Sequence, residues 1–193
     1  MTLDRPTRRR GEELENALLD AAWDELVENG YAGLTYEAVA TRAHTSRAVL
    51  YRRWPDRESL VRALVRRSGE RVQVQAPDTG SLRGDVIELL RESNRHRFPL
   101  WIVLAVQLAP FYAETGVTPA ELRQELIGDR ASSMEAVVAR ARARGELRDG
   151  LSERALGAAF AMFRSEAIMR LGQVPDEVIV EIVDEVYLPL VGT

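Results

Sequence analysis

The stretch that decides the fold is LTYEAVATRAHTSRAVLYRRWP, residues 34–55. Apolar side chains recur every three or four residues from 36 to 43, which predicts a short helix with Thr35 as its N-terminal cap. Residues 44–46 interrupt this spacing and offer a second hydroxyl cap, and the Trp-Pro pair ends a further short helix over 47–53. Two short helices joined by a three-residue turn are typical of a helix-turn-helix motif.

Helical spacing continues on both sides of the motif. Before it, residues 12–29 place Leu14, Leu18 and Leu26 on one stripe, and Gly30 ends the helix. After it, we expect a helix from 56 to about 75, a linker over 76–80, and helices over 82–97 capped by Ser81, 98–112 kinked at Pro110, 118–144, 152–171 capped by Ser152, and 175–190. The pattern predicts about nine helices and no strand.

These elements predict an all-α chain with four parts. Residues 1–10 form a flexible basic arm, 11–56 a three-helix helix-turn-helix DNA-binding domain, 57–75 a connecting helix, and 76–193 a C-terminal helical ligand-binding and dimerisation domain. Dimerisation is expected because one motif covers one DNA half-site, and useful affinity requires two half-sites about one helical turn apart.

The composition excludes several classes of protein. The 193 residues include no cysteine and two histidines, so thiolate metal sites are excluded and a metal centre is not expected. A glycine-rich phosphate loop and an ordered Ser/His/Asp set are absent, so we expect neither an enzyme nor a cofactor, although a site made only of carboxylates would escape this test. The polar N-terminus and the lack of an apolar run of about 20 residues predict a cytoplasmic protein without membrane segments.

Charge is distributed unevenly along the chain. Residues 11–34 contain seven acidic residues and no basic one, whereas 35–75 contain nine arginines and four acidic residues, and the net charge of the whole chain is −4. A basic segment within an acidic chain favours a localised contact with nucleic acid over a general positive coat. For Arg5, Arg8, Arg9 and Arg10 two interpretations stay open, contact with the DNA groove and no specific role.

The same region resembles a known family. The segments 18–23 (LLDAAW), 29–35 (NGYAGLT) and 43–60 (AHTSRAVLYRRWPDRESL) are similar to the DNA-binding domain of the TetR/AcrR-type transcriptional regulators. The segments 78–85 and 140–147 resemble one subgroup of the family's ligand domains. The resemblance implies a homodimeric repressor that binds a palindromic operator and is released by a small effector, and the uncharged run 98–113 favours an effector that is mainly apolar.

The chain departs from the family pattern at a few positions of the motif. His44, Thr45, Trp54 and Arg57 stand where the family usually has Gly, an apolar residue, Phe and Lys. Histidine tolerates a positive φ better than most residues, so we expect the turn to survive. The resemblance also implies phosphate-binding roles for Tyr51 and Arg57.

The second helix of the motif is expected to enter the major groove of double-stranded DNA. Its N-terminal residues then meet base edges, so we expect base contacts from Thr45, Ser46, Arg47 and Ala48, with Arg47 on guanine and Ala48 on a thymine methyl group. A second group, which positions the protein on the sugar-phosphate backbone, comprises Thr35, Tyr36, Tyr51, Arg52, Arg53 and Arg57.

The C-terminal helices supply candidates for a dimer interface and for a ligand site. Small and apolar residues at helical spacing are expected at the interface: Ala155, Ala158, Ala159, Val178, Ile179, Ile182, Val183 and Val186. Large apolar residues mixed with a few polar ones are expected around the ligand: Phe98, Trp101, Gln107, Phe111, Tyr112, Met134, Met162, Phe163 and Glu166. For both sets the alternative is packing in the chain's own core.

We therefore predict a sequence-specific DNA-binding transcriptional regulator. The alternative is a helix-turn-helix protein that acts without a ligand, as an activator or an architectural protein. Selection of an operator sequence at fixed salt would separate a specific regulator from a non-specific binder. A helical enzyme is a distant third hypothesis.

Overall fold

The computed structural model describes residues 5–71, 75–96, 98–127 and 133–193, and within these ranges the regular secondary structure is helical. The segments are α1 (Arg5–Gly33), α2 (Tyr36–Arg42), α3 (Arg47–Arg53), α4 (Arg57–Arg71), α5 (Leu82–His96), α6 (Phe98–Ile102) continued by a π-helical turn (Val103–Gln107), α7 (Ala109–Thr115), α8 (Pro119–Ile127), α9 (Ser133–Ala143), α10 (Glu153–Leu156), α11 (Ala158–Arg170), and α12 (Asp176–Glu181) joined by a π-helical segment (Ile182–Tyr187) to α13 (Leu188–Val191). The all-α prediction is confirmed, although these ranges hold twelve continuous helices rather than about nine.

The chain divides into two compact units that differ from the predicted domains. The first unit comprises 1–70 and 103–128, and the second comprises 71–102 and 129–193. The first unit includes 103–128 because Val103, Leu108, Phe111, Val117 and Leu122 join the apolar core of the helix-turn-helix. An apolar run shows that a segment is buried, but it does not show which helices cover it.

Helix α1 begins earlier than the sequence predicted. Its backbone is helical from Arg5, where we expected a flexible arm over residues 1–10, and residues 1–4 lie outside the described part of the chain. Arginine and glutamate favour helices, and Pro6 falls in the first turn, where its missing N–H removes no hydrogen bond. At the other end, Gly30 breaks the helical conformation with φ 66°, as predicted.

The turn chemistry of the motif is confirmed at two positions and wrong at a third. The Thr35 hydroxyl oxygen accepts a hydrogen bond from the backbone N–H of Ala38 at 3.1 Å and so caps α2. His44 adopts the positive φ that the turn requires, 51°. Ser46 precedes α3 at the cap position, but its hydroxyl makes no capping bond, which leaves this group at the exposed start of α3.

The apolar stretch after α5 departs from α-helical geometry earlier than predicted. We expected a kink at Pro110, but the helix widens into the π-helical turn at Val103–Gln107, and Leu108 separates it from α7. Pro110 is the second residue of α7, a position that tolerates proline because no N–H is needed there. The Tyr112 hydroxyl donates to the Leu104 carbonyl oxygen at 2.6 Å and ties α7 to the turn.

The second unit contains its own core and one buried carboxylate. Val86, Leu90, Phe163, Val183 and Tyr187 are fully buried in its core. The predicted Ser152 cap is confirmed, since its hydroxyl oxygen accepts from the Ala155 N–H at 3.2 Å. Within 118–144, residues 128–132 lie outside the described part of the chain, so the predicted continuous helix is seen as α8 and α9.

Asp85 connects three segments of this second unit. It is fully buried and accepts hydrogen bonds from the Thr79 hydroxyl at 2.9 Å and from Arg144 Nη2 at 3.0 Å. Burial alone would raise the pKa of the carboxyl, but the bonds from Thr79 and Arg144 outweigh it and hold the pKa below its usual value.

In the described ranges, no helix is long and apolar enough to cross a membrane.

Candidate nucleic-acid interface

Helix α3 packs one face on the core of the first unit and exposes the other. Leu50 is fully buried and Val49 is packed against the same core, whereas Arg47, Ala48, Tyr51 and Arg52 are exposed. Among the four predicted base contacts, Ser46, Arg47 and Ala48 share this exposed end, and Thr45 is half-buried. The helix therefore has a solvent-facing surface that a nucleic acid could reach, beginning at its N-terminus.

Tyr36 and Tyr51 were both expected at the DNA backbone, but the structure gives them different roles. Tyr36 is buried, and its hydroxyl donates to the Trp54 carbonyl oxygen at 2.7 Å, so it joins α2 to the end of α3. Burial also raises the pKa of its phenol to about 12. The Tyr51 ring stacks on the Tyr36 ring at 4.2 Å, and the residue remains 53% exposed. The expected phosphate contact of Tyr36 is corrected, while that of Tyr51 stays a prediction.

Arg53 and Arg57 were also expected to meet the DNA backbone, and both are engaged inside the first unit. Arg53 Nη1 lies 2.6 Å from a Glu15 carboxylate oxygen, and its Nη2 donates to the Gly11 carbonyl oxygen at 3.2 Å. Arg57 donates to the Tyr31 carbonyl oxygen at 2.6 Å, and its guanidinium lies 3.8 Å from the centre of the Tyr31 ring. Helical periodicity could not distinguish these packed arginines from projecting ones.

The acidic run in α1 neutralises much of the basic segment that follows it. Arg42 pairs with Glu25 at 2.7 Å and with Glu28, and Arg67 pairs with Asp20 at 3.0 Å. The hydrogen bond from Arg42 lowers the pKa of Glu28. Opposite charge in adjacent segments was the sequence signal for these ion pairs, but we interpreted the basic segment as a nucleic-acid contact alone.

The positive groups left on the exposed face of α3 are Arg47 and Arg52. Arg47 has a 63% exposed side chain, and one partner, Glu37 of α2, lies near it with Nη1 and Oε2 3.5 Å apart. Glu37 was not predicted as a site residue, because an acidic residue in the first turn of a helix is common for electrostatic reasons alone.

The predicted dimer residues divide into buried and accessible groups. Ala159, Ile179, Ile182 and Val183 are buried in the chain's own core, so they offer no surface to a partner, and this part of the prediction is corrected. Ala155, Ala158 and Val178 are half-buried, and Val186 is 40% exposed. An apolar helix face wide enough to contact two neighbouring helices does not show which part packs on the chain's own core and which part is accessible to a partner. Other exposed apolar residues of the second unit, missed from sequence, are Met169, Leu171 and Leu190.

The predicted ligand residues of the first unit are used in its packing. Phe111 lies edge-on to Tyr31 with ring centres 5.5 Å apart. The Gln107 side-chain nitrogen donates to the Val27 carbonyl oxygen at 2.8 Å. Tyr112 donates to the Leu104 carbonyl oxygen, and burial raises the pKa of its phenol to about 12.

The predicted ligand residues of the second unit lie partly in its core and partly at its surface. Trp101 and Phe163 are buried and meet edge-on at 5.3 Å, with Phe160 beside both. Glu166 pairs with Arg170 at 3.0 Å at the surface, and Met162 is 38% exposed, so neither lines an apolar interior. Met134 is half-buried, and the Phe98 side chain lies outside the described part of the chain. A ligand site stays a prediction.

No group of three His, Asp or Glu residues in the described ranges is arranged to hold a metal ion.

Comparison with known proteins covers both units. The family described as bacterial regulatory proteins, tetR family, matches residues 18–64, and the tetracyclin repressor-like C-terminal domain matches 76–186. A DNA-binding transcriptional repressor TetR of Mycobacteroides abscessus is 27% identical over 182 residues, which cover 94% of this chain and 96% of that protein. An uncharacterised HTH-type transcriptional regulator of Mycobacterium bovis is 33% identical over 140 residues, covering 69% of this chain and 65% of the relative.

Solved structures share the fold. The fatty acid degradation regulator FadR of Bacillus halodurans superposes with a TM-score of 0.67 at 16% identity, covering 91% of this chain and 94% of that one. A TetR transcriptional regulator of Agrobacterium tumefaciens gives 0.60 at 24% identity, covering 93% and 95%. With a family domain matched over 76–186 and the exposed α3 of a helix-turn-helix before it, the chain belongs to the TetR family of DNA-binding transcriptional regulators.

Proposed function

We propose that this regulator is a homodimeric repressor that contacts a palindromic operator through α3 and leaves it when a small, mainly apolar molecule binds. The observation that carries the DNA contact is the exposed face of α3. Its side chains Arg47, Ala48, Tyr51 and Arg52 are free of the core, while Arg42, Arg53 and Arg67 are paired with α1.

The chemistry of the exposed face suits a major groove. Arg47 can donate two parallel hydrogen bonds to guanine O6 and N7, and the Ala48 methyl group can contact a thymine methyl group. Tyr51 and Arg52 follow one turn later and can donate to phosphate oxygens, which positions the helix without specifying sequence. In this proposal Thr35 keeps its predicted contact with the sugar-phosphate backbone, and the half-buried Thr45 keeps its predicted base contact.

In vitro selection of DNA with the full chain tests the proposal. We expect an inverted repeat whose half-site centres lie about 34 Å apart or a multiple of that distance. Arg47→Ala should reduce discrimination at one base position by about 1–3 kcal/mol. Arg66→Ala is the matched control, since Arg66 belongs to the same unit and has a 61% exposed side chain. Selection of no preferred sequence by the unmodified protein would contradict the proposal.

The second unit supports dimerisation through its exposed apolar side chains. Met162 and Met169 of α11 are 38% and 80% exposed, and Val186 and Leu190 at the end of the chain are 40% and 42% exposed. Helix α11 packs on the segment Ile182–Tyr187, so these side chains belong to adjoining helices. Apolar surface on adjoining helices is typical of a contact with another protein, and a symmetric contact between two copies of this chain fits the need for two half-sites.

A charge in this surface should separate the copies. Val186→Glu is expected to yield a monomer in light scattering at micromolar concentration, because an unpaired carboxylate would be desolvated in the contact. Val106→Glu is the control, since Val106 is similarly exposed at 43% but lies in the other unit. A monomeric unmodified protein at that concentration would contradict the dimer.

The proposed effector site lies in the second unit, where aromatic side chains surround part of the core. Within the second unit, α5 packs against α6 and α11, which contribute the aromatic cluster of Trp101, Phe160 and Phe163. Ser93 of α5 is fully buried, and its hydroxyl has no hydrogen-bond partner among the residues that the structure describes. A buried hydroxyl without a partner gains stability from a hydrogen bond. A ligand that is mainly apolar but carries one polar group could supply that bond.

Release of the protein from its selected operator by neutral lipophilic compounds of increasing size would test for such an effector. Ser93→Ala should raise the concentration that releases the protein, whereas Ser165→Ala, at an exposed position of α11, should not. If none of the compounds acts, the alternative gains support, in which the regulator works without a small molecule.

A further inference from the structure

The ion pair between Arg47 and Glu37 differs from three other arginine pairs of the first unit. Arg42, Arg53 and Arg67 pair with acidic residues of α1 and hold helices together. Arg47 instead pairs with Glu37 of α2, with Nη1 and Oε2 3.5 Å apart. The side chains of Arg47 and Glu37 are 63% and 78% exposed. An ion pair this exposed contributes little to folding, so both side chains remain available for a contact with another molecule.

Glu37 places a negative charge beside the side chain that we assign to base contact. A carboxylate on a surface that approaches DNA is repelled by the phosphates and weakens binding unless a donor offsets it. In the major groove the amino donors are cytosine N4 and adenine N6, and cytosine N4 is the usual partner of a carboxylate. Guanine offers only acceptors there, which suit Arg47.

The geometry leaves both partners able to contact bases. Arg47 uses Nη1 toward Glu37, so Nη2 and Nε can still donate to guanine O6 and N7. Glu37 uses Oε2 toward Arg47, and its other oxygen can accept from an amino group.

We infer that Glu37 is a specificity-determining residue, which accepts a hydrogen bond from cytosine N4 while it orients Arg47 on a guanine in the same or the adjacent base pair. The inference rests on the proposed DNA contact of α3. It assigns a sequence-reading role to α2, where the fold alone required only a supporting helix.

The experiment compares the DNA sequences selected by the full-length protein and by Glu37→Gln. A glutamine can pair with adenine N6 and N7, so the variant should shift the preference at one position from cytosine towards adenine. Discrimination for cytosine there should fall about 5- to 150-fold, with the other positions unchanged. Glu37→Ala should lose the preference without gaining another.

Glu28→Gln is the matched control. Glu28 is an exposed acidic residue of the same unit and pairs with Arg42, so the substitution removes the same charge and one arginine pair. Its selected sequence should equal that of the unmodified protein. Because Glu37 is exposed and its charge lies in the first turn of α2, Glu37→Gln should lower the urea-unfolding midpoint only slightly, and a single cooperative transition would confirm that folding is intact.

Two results would overturn the inference while leaving the proposed function in place. The first is an unchanged selected sequence for Glu37→Gln. The second is tighter binding of the variant to all sequences with a steeper salt dependence, which would make Glu37 only a neutraliser of Arg47. An unmodified protein that selects no sequence would instead overturn the proposed function, and the role of Glu37 with it.

Discussion

Arg52 and Arg53 are neighbours in sequence, and we expect their replacement by alanine to have different consequences. Arg52 is exposed on α3, whereas Arg53 is 26% exposed and bonded to Glu15 and Gly11 of α1. Arg53→Ala should therefore lower the free energy of unfolding, and Arg52→Ala should weaken DNA binding.

The magnitudes follow from these contacts. The Arg53–Glu15 ion pair is partly exposed and contributes up to about 1 kcal/mol, and the bond to the Gly11 carbonyl contributes about 1 kcal/mol. With the lost packing of the aliphatic stem, Arg53→Ala should cost about 1–3 kcal/mol. Arg52→Ala should change the free energy of unfolding by less than about 0.5 kcal/mol, because removal of an exposed side chain does not disturb the core.

Urea denaturation measures the first effect, and binding to the selected operator and to a scrambled duplex across a salt series measures the second. Arg52→Ala should weaken both complexes and reduce the slope of log K against log salt by about 0.9, the loss of one phosphate contact. Arg53→Ala, assayed where it is folded, should keep the unmodified slope. A reduced slope in Arg53→Ala without loss of stability would refute the assignment of the two roles.

Three further outcomes are expected. Tyr36→Phe should lower the free energy of unfolding by about 1 kcal/mol in urea titrations and leave the selected DNA sequence unchanged, because the Tyr36 hydroxyl bonds Trp54; an altered sequence would restore a DNA contact to Tyr36. His44→Gly should raise the free energy of unfolding by about 0.5–1 kcal/mol, since glycine adopts φ 51° without strain, and a loss of stability would contradict this. The second unit should lose stability as pH falls below about 4, because the pKa of Asp85 is lower in the folded than in the unfolded chain; Asp85→Asn should flatten this dependence in urea titrations at pH 3 and pH 7, and an unchanged dependence would assign the acid sensitivity to other groups.

The helix-turn-helix was predictable from sequence because its signals are local. Thr35 as a cap, His44 at a positive φ and Gly30 as a helix stop depend on a few neighbouring residues, and each is found where the pattern put it. The all-α class follows from the same local spacing. Corrections arose where the deciding interaction joins residues far apart, as for Tyr36, whose hydroxyl partner lies 18 residues later.

The sequence by itself determined the kind of helices, the motif and the family resemblance, since propensity, capping and apolar periodicity act within one or two turns. Tertiary structure alone decided which arginines remain available. Arg52 and Arg53 look alike in sequence, but only the tertiary contacts of Arg53 show that it faces Glu15 of α1. It also decided that Ile182 faces the core while Val186 is exposed, because a stripe at helical spacing does not identify the surface that covers each part of it.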